Sequence, residues 1–178
     1  KNYENVDIST IDKNLPSGVI SHSDSWIKCK PIRNPDFPDI EVSTIGKIDS
    51  ILKTETGYAV IDFKTCDIGE YLIKKYELQL NAYAYSILNA KSDGLSLSEI
   101  NRTGLIVFEP NEFLVNQGST ASLNGVFKWV EINFDPIQFE NFIKYEVIPL
   151  LAGPEPIPEE TDPCWVYLKQ LGIEYIPE

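Results

Sequence analysis

Two β-favouring runs separated by four turn residues constrain this chain more than any other feature. "EVSTIGKIDSILK" (41–53) and "YAVIDFKT" (58–65) are rich in Ile and Val, and "TETG" between them puts Gly57 where a tight turn calls for a positive φ. The pair reads as an antiparallel hairpin. With the turn centred between Glu55 and Thr56, opposing residue numbers sum to 111, which sets Asp49 against Asp62. Cβ atoms so placed lie about 4.5–5.5 Å apart. Side chains alternate along a strand, so Asp62 and Lys64 share one face while Ile61 and Phe63 take the other.

Like charges facing each other weaken a sheet unless water or a cation separates them. A hard divalent cation such as Mg²⁺ prefers carboxylate oxygens and needs only one or two from the protein. A lysine beside such a pair can orient or deprotonate water, or neutralise charge on a phosphoryl group. Gly46, three residues before Asp49, is costly inside a strand and marks a bulge or a close backbone approach.

From Glu70 to Ala90 the period changes. Leu72, Tyr76, Leu80, Tyr83 and Ile87 recur every three or four residues, which predicts an amphipathic helix. Gln79 and Tyr83, four apart, share one of its faces. Further strands are expected at 26–32, 102–110 (ended by Pro110) and 126–134, with 1–24 as a polar lead-in and 115–125 as a loop. A second helix follows through "IQFENFIKYEVIPLL", capped by Asp135 with Pro136 at its first position. The order predicts an α/β (α+β) class with a mixed central sheet flanked by helices. Residues 1–152 are expected to form one domain. Residues 153–178 are expected to form a proline-rich acidic tail, with a short helix at "CWVYLKQLG".

Composition restricts the partners. The net charge of the 178 residues is −12. Residues 1–102 hold 12 basic against 15 acidic residues, and 103–178 hold 3 against 12. Non-specific nucleic-acid binding by the whole surface is disfavoured, and a basic path belongs in the first part. Cys29, Cys66 and Cys164 are odd in number and widely spaced, which argues against a disulfide framework or a structural metal cluster and for a reducing, cytoplasmic setting. No apolar run approaches the roughly 18–20 residues that span a bilayer, so no membrane partner is expected. The chain starts at Lys1 and lacks methionine, from which a trimmed N-terminus is expected. The three tryptophans are expected in core or tail packing, and His22 as an ordinary loop or surface residue.

"GKID" (46–49), "VIDFKT" (60–65) and "QLNAY" (79–83), in this order and spacing, resemble the three signature motifs of the PD-(D/E)XK nuclease superfamily, in particular its RecB-like exonuclease branch. That branch includes CRISPR-adaptation exonucleases and the nuclease domains of recombination helicases. The resemblance covers about residues 26–88 and implies a restriction-endonuclease-like core. It implies Asp49, Asp62 and the Phe63 carbonyl as ligands of Mg²⁺ or Mn²⁺, Lys64 as the catalytic lysine, and Gln79 and Tyr83 as residues that support the site and contact the substrate. The implied activity is DNA phosphodiester hydrolysis, with single-stranded ends favoured, beside a basic partner protein or helicase. The alternative is a nuclease-fold module that docks a partner in a DNA-processing complex. Two features depart from the branch. Its members often place a histidine on a helix before the first strand, whereas His22 lies in a non-helical context. Those with an iron–sulfur cluster use four cysteines, so no cluster is expected here.

Overall fold

A computed structural model describes residues 4–154 apart from 14, 67–68, 116–117 and 119. Five strands form the main sheet: β1 (Val19–Lys28), β4 (Ile45–Thr54), β5 (Gly57–Thr65), β6 (Ile100–Val115) and β7 (Ala121–Ile132), side by side in the order β1-β4-β5-β6-β7. A two-stranded ribbon, β2 (Ile32–Arg33) with β3 (Glu41–Val42), lies outside it. The architecture is a mixed α/β core with a five-stranded mixed sheet.

The β4–β5 hairpin has the register that the turn residues dictate. Thr54 pairs with Gly57 and Ser50 with Ile61, so the number sum of 111 holds along the ladder. Gly57 has φ +142°, and a Cβ there would come within 2.3 Å of the Glu99 carbonyl oxygen. Only glycine fits both the backbone and the space. Next comes α1 (Glu70–Leu88), which returns the chain to the starting end of the sheet, so β5 and β6 are parallel, from Tyr58↔Ile100 to Thr65↔Phe108. Leu80, Ala84 and Ile87 of α1 are fully buried against Ile48, Ile51, Val60, Leu105 and Val107 of the sheet.

A second helical stretch closes the fold. Asp135 caps α2 (Pro136–Phe142) by accepting the Gln138 N–H at 2.8 Å. One π-helical segment, Ile143–Val147, leads into α3 (Ile148–Ala152). Pro149 explains the widening, since it has no N–H to donate and its ring crowds the preceding turn. Phe139, Ile143 and Ile148 pack with Tyr85 of α1 and with Cys29 and Ile32.

Several expectations need correction, among them the 115–125 loop, into which β6 and β7 both extend. The first sheet strand is 19–28 rather than 26–32, and part of the polar lead-in is structural: Ile8 and Leu15 are buried on the back of the sheet with Ile20, Leu52, Ala59, Ile61 and Ile106. Serines and His22 interleave the apolar residues of this strand, so its hydrophobic signal is weak. The 41–53 run is divided between β3 and β4. Pro110 does not end its strand. The β6–β7 ladder continues to Val115↔Ala121, with a register shift between Pro110 and Glu112 that accommodates the missing donor. The resulting arm is exposed throughout, so burial could not have patterned it. Trp26 is 68% exposed rather than packed, because its neighbour Ile27 takes the core-facing position on β1. Trp129 is partly buried, while Trp165, Cys164 and the expected tail helix lie outside the described residues.

Candidate active site

Asp62 and Lys64 project from β5 toward the α1 face, in phase with buried Val60. Asp62 is 2% exposed. Its Oδ2 atom is ion-paired with the Lys64 ammonium and finds no other hydrogen-bond partner. Burial pushes the Asp62 carboxyl above its ordinary value; Lys64 opposes that shift, and the neighbouring Asp49 carboxylate adds to it. For Lys64, burial works against the charge, but Asp62, Tyr76 and Asp49 together hold its pKa above the ordinary value. The ammonium is therefore protonated across the neutral range.

Asp49 owes its position to a local break in the sheet. The β4–β5 ladder stops at Ser50↔Ile61, one pair short of Asp49 and Asp62. Beyond that point the Phe63 N–H donates to Asp49 Oδ2 at 3.2 Å, so a carboxylate takes an amide that the ladder leaves. On the other side, β1 pairs Ser23↔Ser50 and then Ser25↔Ile48, and the intervening Asp24 has φ +49°. Ile48 and Ile51 both pack toward α1 although they are three apart, so the alternation of faces slips between them, at Asp49. An exposed carboxylate thereby reaches the buried one on the next strand. Repulsion between the two is tolerable because Lys64 supplies a counter-charge and Asp49 remains open to water.

From α1, Tyr76 reaches the site, while Gln79 and Tyr83 pair with each other beside β4. Gln79 Nε2 donates to the Tyr83 hydroxyl at 2.8 Å, so the expected pair does meet. Gly46 lets the Tyr83 ring lie against β4: a Cβ there would stand 3.1 Å from Tyr83 Cε1. This is the close approach that a glycine within a strand suggested. The group stacked on the lysine is a different residue. Lys64 Nζ lies 4.7 Å from the centroid of the Tyr76 ring. Tyr76 was legible only as an apolar helix position; its place one turn before Gln79 on the same side of α1 was the available signal. Lys75, on the exposed side, reaches the same ring at 5.4 Å.

The donor set suits a hard divalent cation. It offers two carboxylates on adjoining strands, one of them buried and ion-paired with Lys64. Among the described residues no group of three or more His, Cys, Asp or Glu is placed to hold a metal. His22 lies within β1, opposite Ile51, and its Nδ1 shares a 3.0 Å hydrogen bond with the Ser21 hydroxyl. Cys29 is buried in the cluster with α2, and Cys66 packs against the α1-face core; both are free thiols in different places.

No family model matches the sequence, and no curated protein matches it. Among solved structures, the crystal structure of SSO0001 aligns with a TM-score of 0.42 at 13% identity, over 76% of this chain and 52% of that one. Among the described residues no helix is long and apolar enough to cross a membrane.

Proposed function

We propose that this protein is a Mg²⁺- or Mn²⁺-dependent nuclease with a restriction-endonuclease-like core, hydrolysing phosphodiester bonds in DNA and acting preferentially on single-stranded ends. One observation carries the reading: a buried carboxylate, a second carboxylate from the neighbouring strand and a protonated lysine converge where two strands separate. The three motifs at 46–49, 60–65 and 79–83 support the same assignment. Asp49 and Asp62 would hold the cation, with the Phe63 carbonyl as the implied third protein ligand. When bound, the cation supplies Lewis-acid polarisation of a phosphoryl oxygen.

The chain's own residues do the rest. Were Asp62 to hold the cation, Lys64 would no longer be needed as that carboxylate's counter-charge, and its ammonium would be available to the substrate. The raised pKa of Lys64 makes it a donor rather than a base at neutral pH, so it stabilises charge on a non-bridging phosphate oxygen and orients the attacking water. The Tyr76 ring keeps the ammonium in place when Asp62 changes partner. Gln79 and Tyr83 fix the helix against β4 and offer polar groups to the nucleic acid.

Labelled single- and double-stranded DNA, incubated with Mg²⁺ or Mn²⁺, tests the proposal. Wild type should cleave, and Lys64→Ala and Asp62→Asn should each lose about 10²–10³-fold in rate, the scale of removing a charge-stabilising group. Wild type that binds DNA or a protein partner but cleaves with neither metal would instead be the docking module.

A further inference from the structure

The back face of the sheet holds a pocket that the chemistry above does not use. Its volume is about 450 Å³. Buried Ile20 and half-buried Phe127 lie deep in it, and Val6, Ile11 and Phe63, between 36% and 48% exposed, surround its mouth. Ser23 and Asp49 also line it. The Ser23 hydroxyl oxygen is buried and has no hydrogen-bond partner, an unmet demand in a wall that Asp24 and Ser50 also line. Asp49 belongs to both places. Its carboxylate stands beside Asp62 and takes the Phe63 N–H, while its side chain borders the pocket. The break in the sheet at Asp49 therefore joins the two.

We propose that this pocket receives a nucleobase of the single strand whose phosphate lies at Asp49 and Asp62. The inference rests on the nuclease reading and adds a base subsite to it. A nucleic-acid strand carries a flat apolar plate beside every phosphate, and aromatic rings are the usual platforms for such plates. Phe63 and Phe127 provide rings. The unpartnered Ser23 hydroxyl provides a partner for the polar edge of a base. A base paired and stacked within a duplex cannot leave to enter the pocket without unstacking, whereas a base at an unpaired end can. The subsite thus gives a physical cause for preferring single-stranded ends.

Single strands lacking one base at successive positions around the cleaved bond test this. Wild type should show a kcat/KM about ten-fold higher for the intact strand than for the strand abasic at one position, in line with the loss of one stacked base. In Phe63→Ala the ratio of intact to abasic should fall toward one. Val6→Trp, which fills the mouth from outside the strands, should do the same and serves if Phe63→Ala fails to fold. Equal cleavage of all strands by wild type, or a ratio that survives both substitutions, overturns the subsite and leaves the nuclease reading intact. If wild type cleaves nothing, the nuclease reading falls, and deoxyadenosine alone judges the pocket. Methyl NMR shifts at Ile11 and Ile20 that vanish in Val6→Trp would keep it as a base site, and their absence in wild type would end it.

Discussion

The two faces of the sheet are closed by different means. On one, α1 lays Leu80, Ala84 and Ile87 over Ile51, Val60, Leu105 and Val107. On the other, residues 5–15 cover Leu52, Ala59, Ile61 and Ile106 with little more than Ile8 and Leu15, a three-residue 3-10 turn (Ile8–Thr10) and a few backbone bonds such as Ile20 N–H to the Val6 carbonyl at 2.9 Å. A helix brings its own hydrogen bonds and a regular stripe of side chains, so it seals a surface. An irregular segment must satisfy its backbone piecemeal and leaves space beside it. The sealed face carries the ion-paired lysine and buried carboxylate, and the loosely covered face carries the pocket. The lesson is that a regular helix can cover a buried charged pair, whereas a piecemeal cover leaves room beside it.

The largest effect that would test this contrast is on stability. Ile51 and Ile8 are both 0% exposed. Ile51→Ala should cost about 2–5 kcal/mol, whereas Ile8→Ala should fall at or below the low end of that range, because the irregular segment can settle into the cavity or open locally. Urea unfolding measures both. Hydrogen exchange should find the amides of Asn5 and Ile8 opening well before those of β4. Equal costs and equal protection would break the comparison.

The next effect concerns charge on the sealed face. The Asp62 carboxyl lies above its ordinary value of 3.8, chiefly through burial. A raised pKa means that the folded protein holds this proton more tightly than the unfolded chain does. The associated stability is full below about pH 3.8 and is lost as pH rises through the folded value. Asp62→Asn, which cannot ionise, should therefore raise Tm at neutral pH without added cation, and the gain should vanish at the acid end. In wild type, Mg²⁺ or Mn²⁺ should raise Tm by binding the folded state, less so as pH falls and protons compete for Asp62. The variant should lose most of that response. An Asp62→Asn protein less stable than wild type at neutral pH would mean that the Lys64 pair outweighs the burial of the carboxylate.

The smallest effect sharpens the role of Tyr76. Tyr76→Leu keeps an apolar group on α1 but removes the ring under Lys64 Nζ. An interaction of this kind contributes about 0.5–1 kcal/mol, so cleavage should fall about two- to five-fold, with Tyr76→Phe close to wild type. The readout that a merely structural role would not move is the Lys64 pKa, which NMR should find lower in the leucine variant.

Much of the fold was legible because its strongest elements are regular. The β4–β5 register follows from two strands and a two-residue turn with Gly57 at its end. The span of α1 follows from apolar residues every three or four positions. Asp135 and Pro136 mark the next helix start by their chemistry. What escaped was irregular or exposed. The first strand is diluted by serines, the β6–β7 arm has no buried side, and Pro110 looked like a stop until a bulge made room for it. In the candidate site, Asp62 and Lys64 were legible from alternation, whereas the expected Asp49↔Asp62 pair lies one step beyond the end of the ladder, and Asp49 comes near Asp62 through the break in the sheet instead. The stacking of Tyr76 on Lys64 was not, since an aromatic on the apolar stripe of a helix reads as core.

The pairing of β4 with β5, the helix that follows and the placing of charge in the "VIDFKT" segment could be read from residue order alone, because they depend on periodicity and turn geometry over short distances. The break of the sheet at Asp49, the deep burial by which Asp62 holds its proton more tightly, and the pocket behind Phe63 arise from long-range packing. Those outcomes depend on which surfaces meet. Ile8 and Leu15 reach Leu52 and Ile61 from more than 35 residues away in sequence, a separation over which no local pattern carries information.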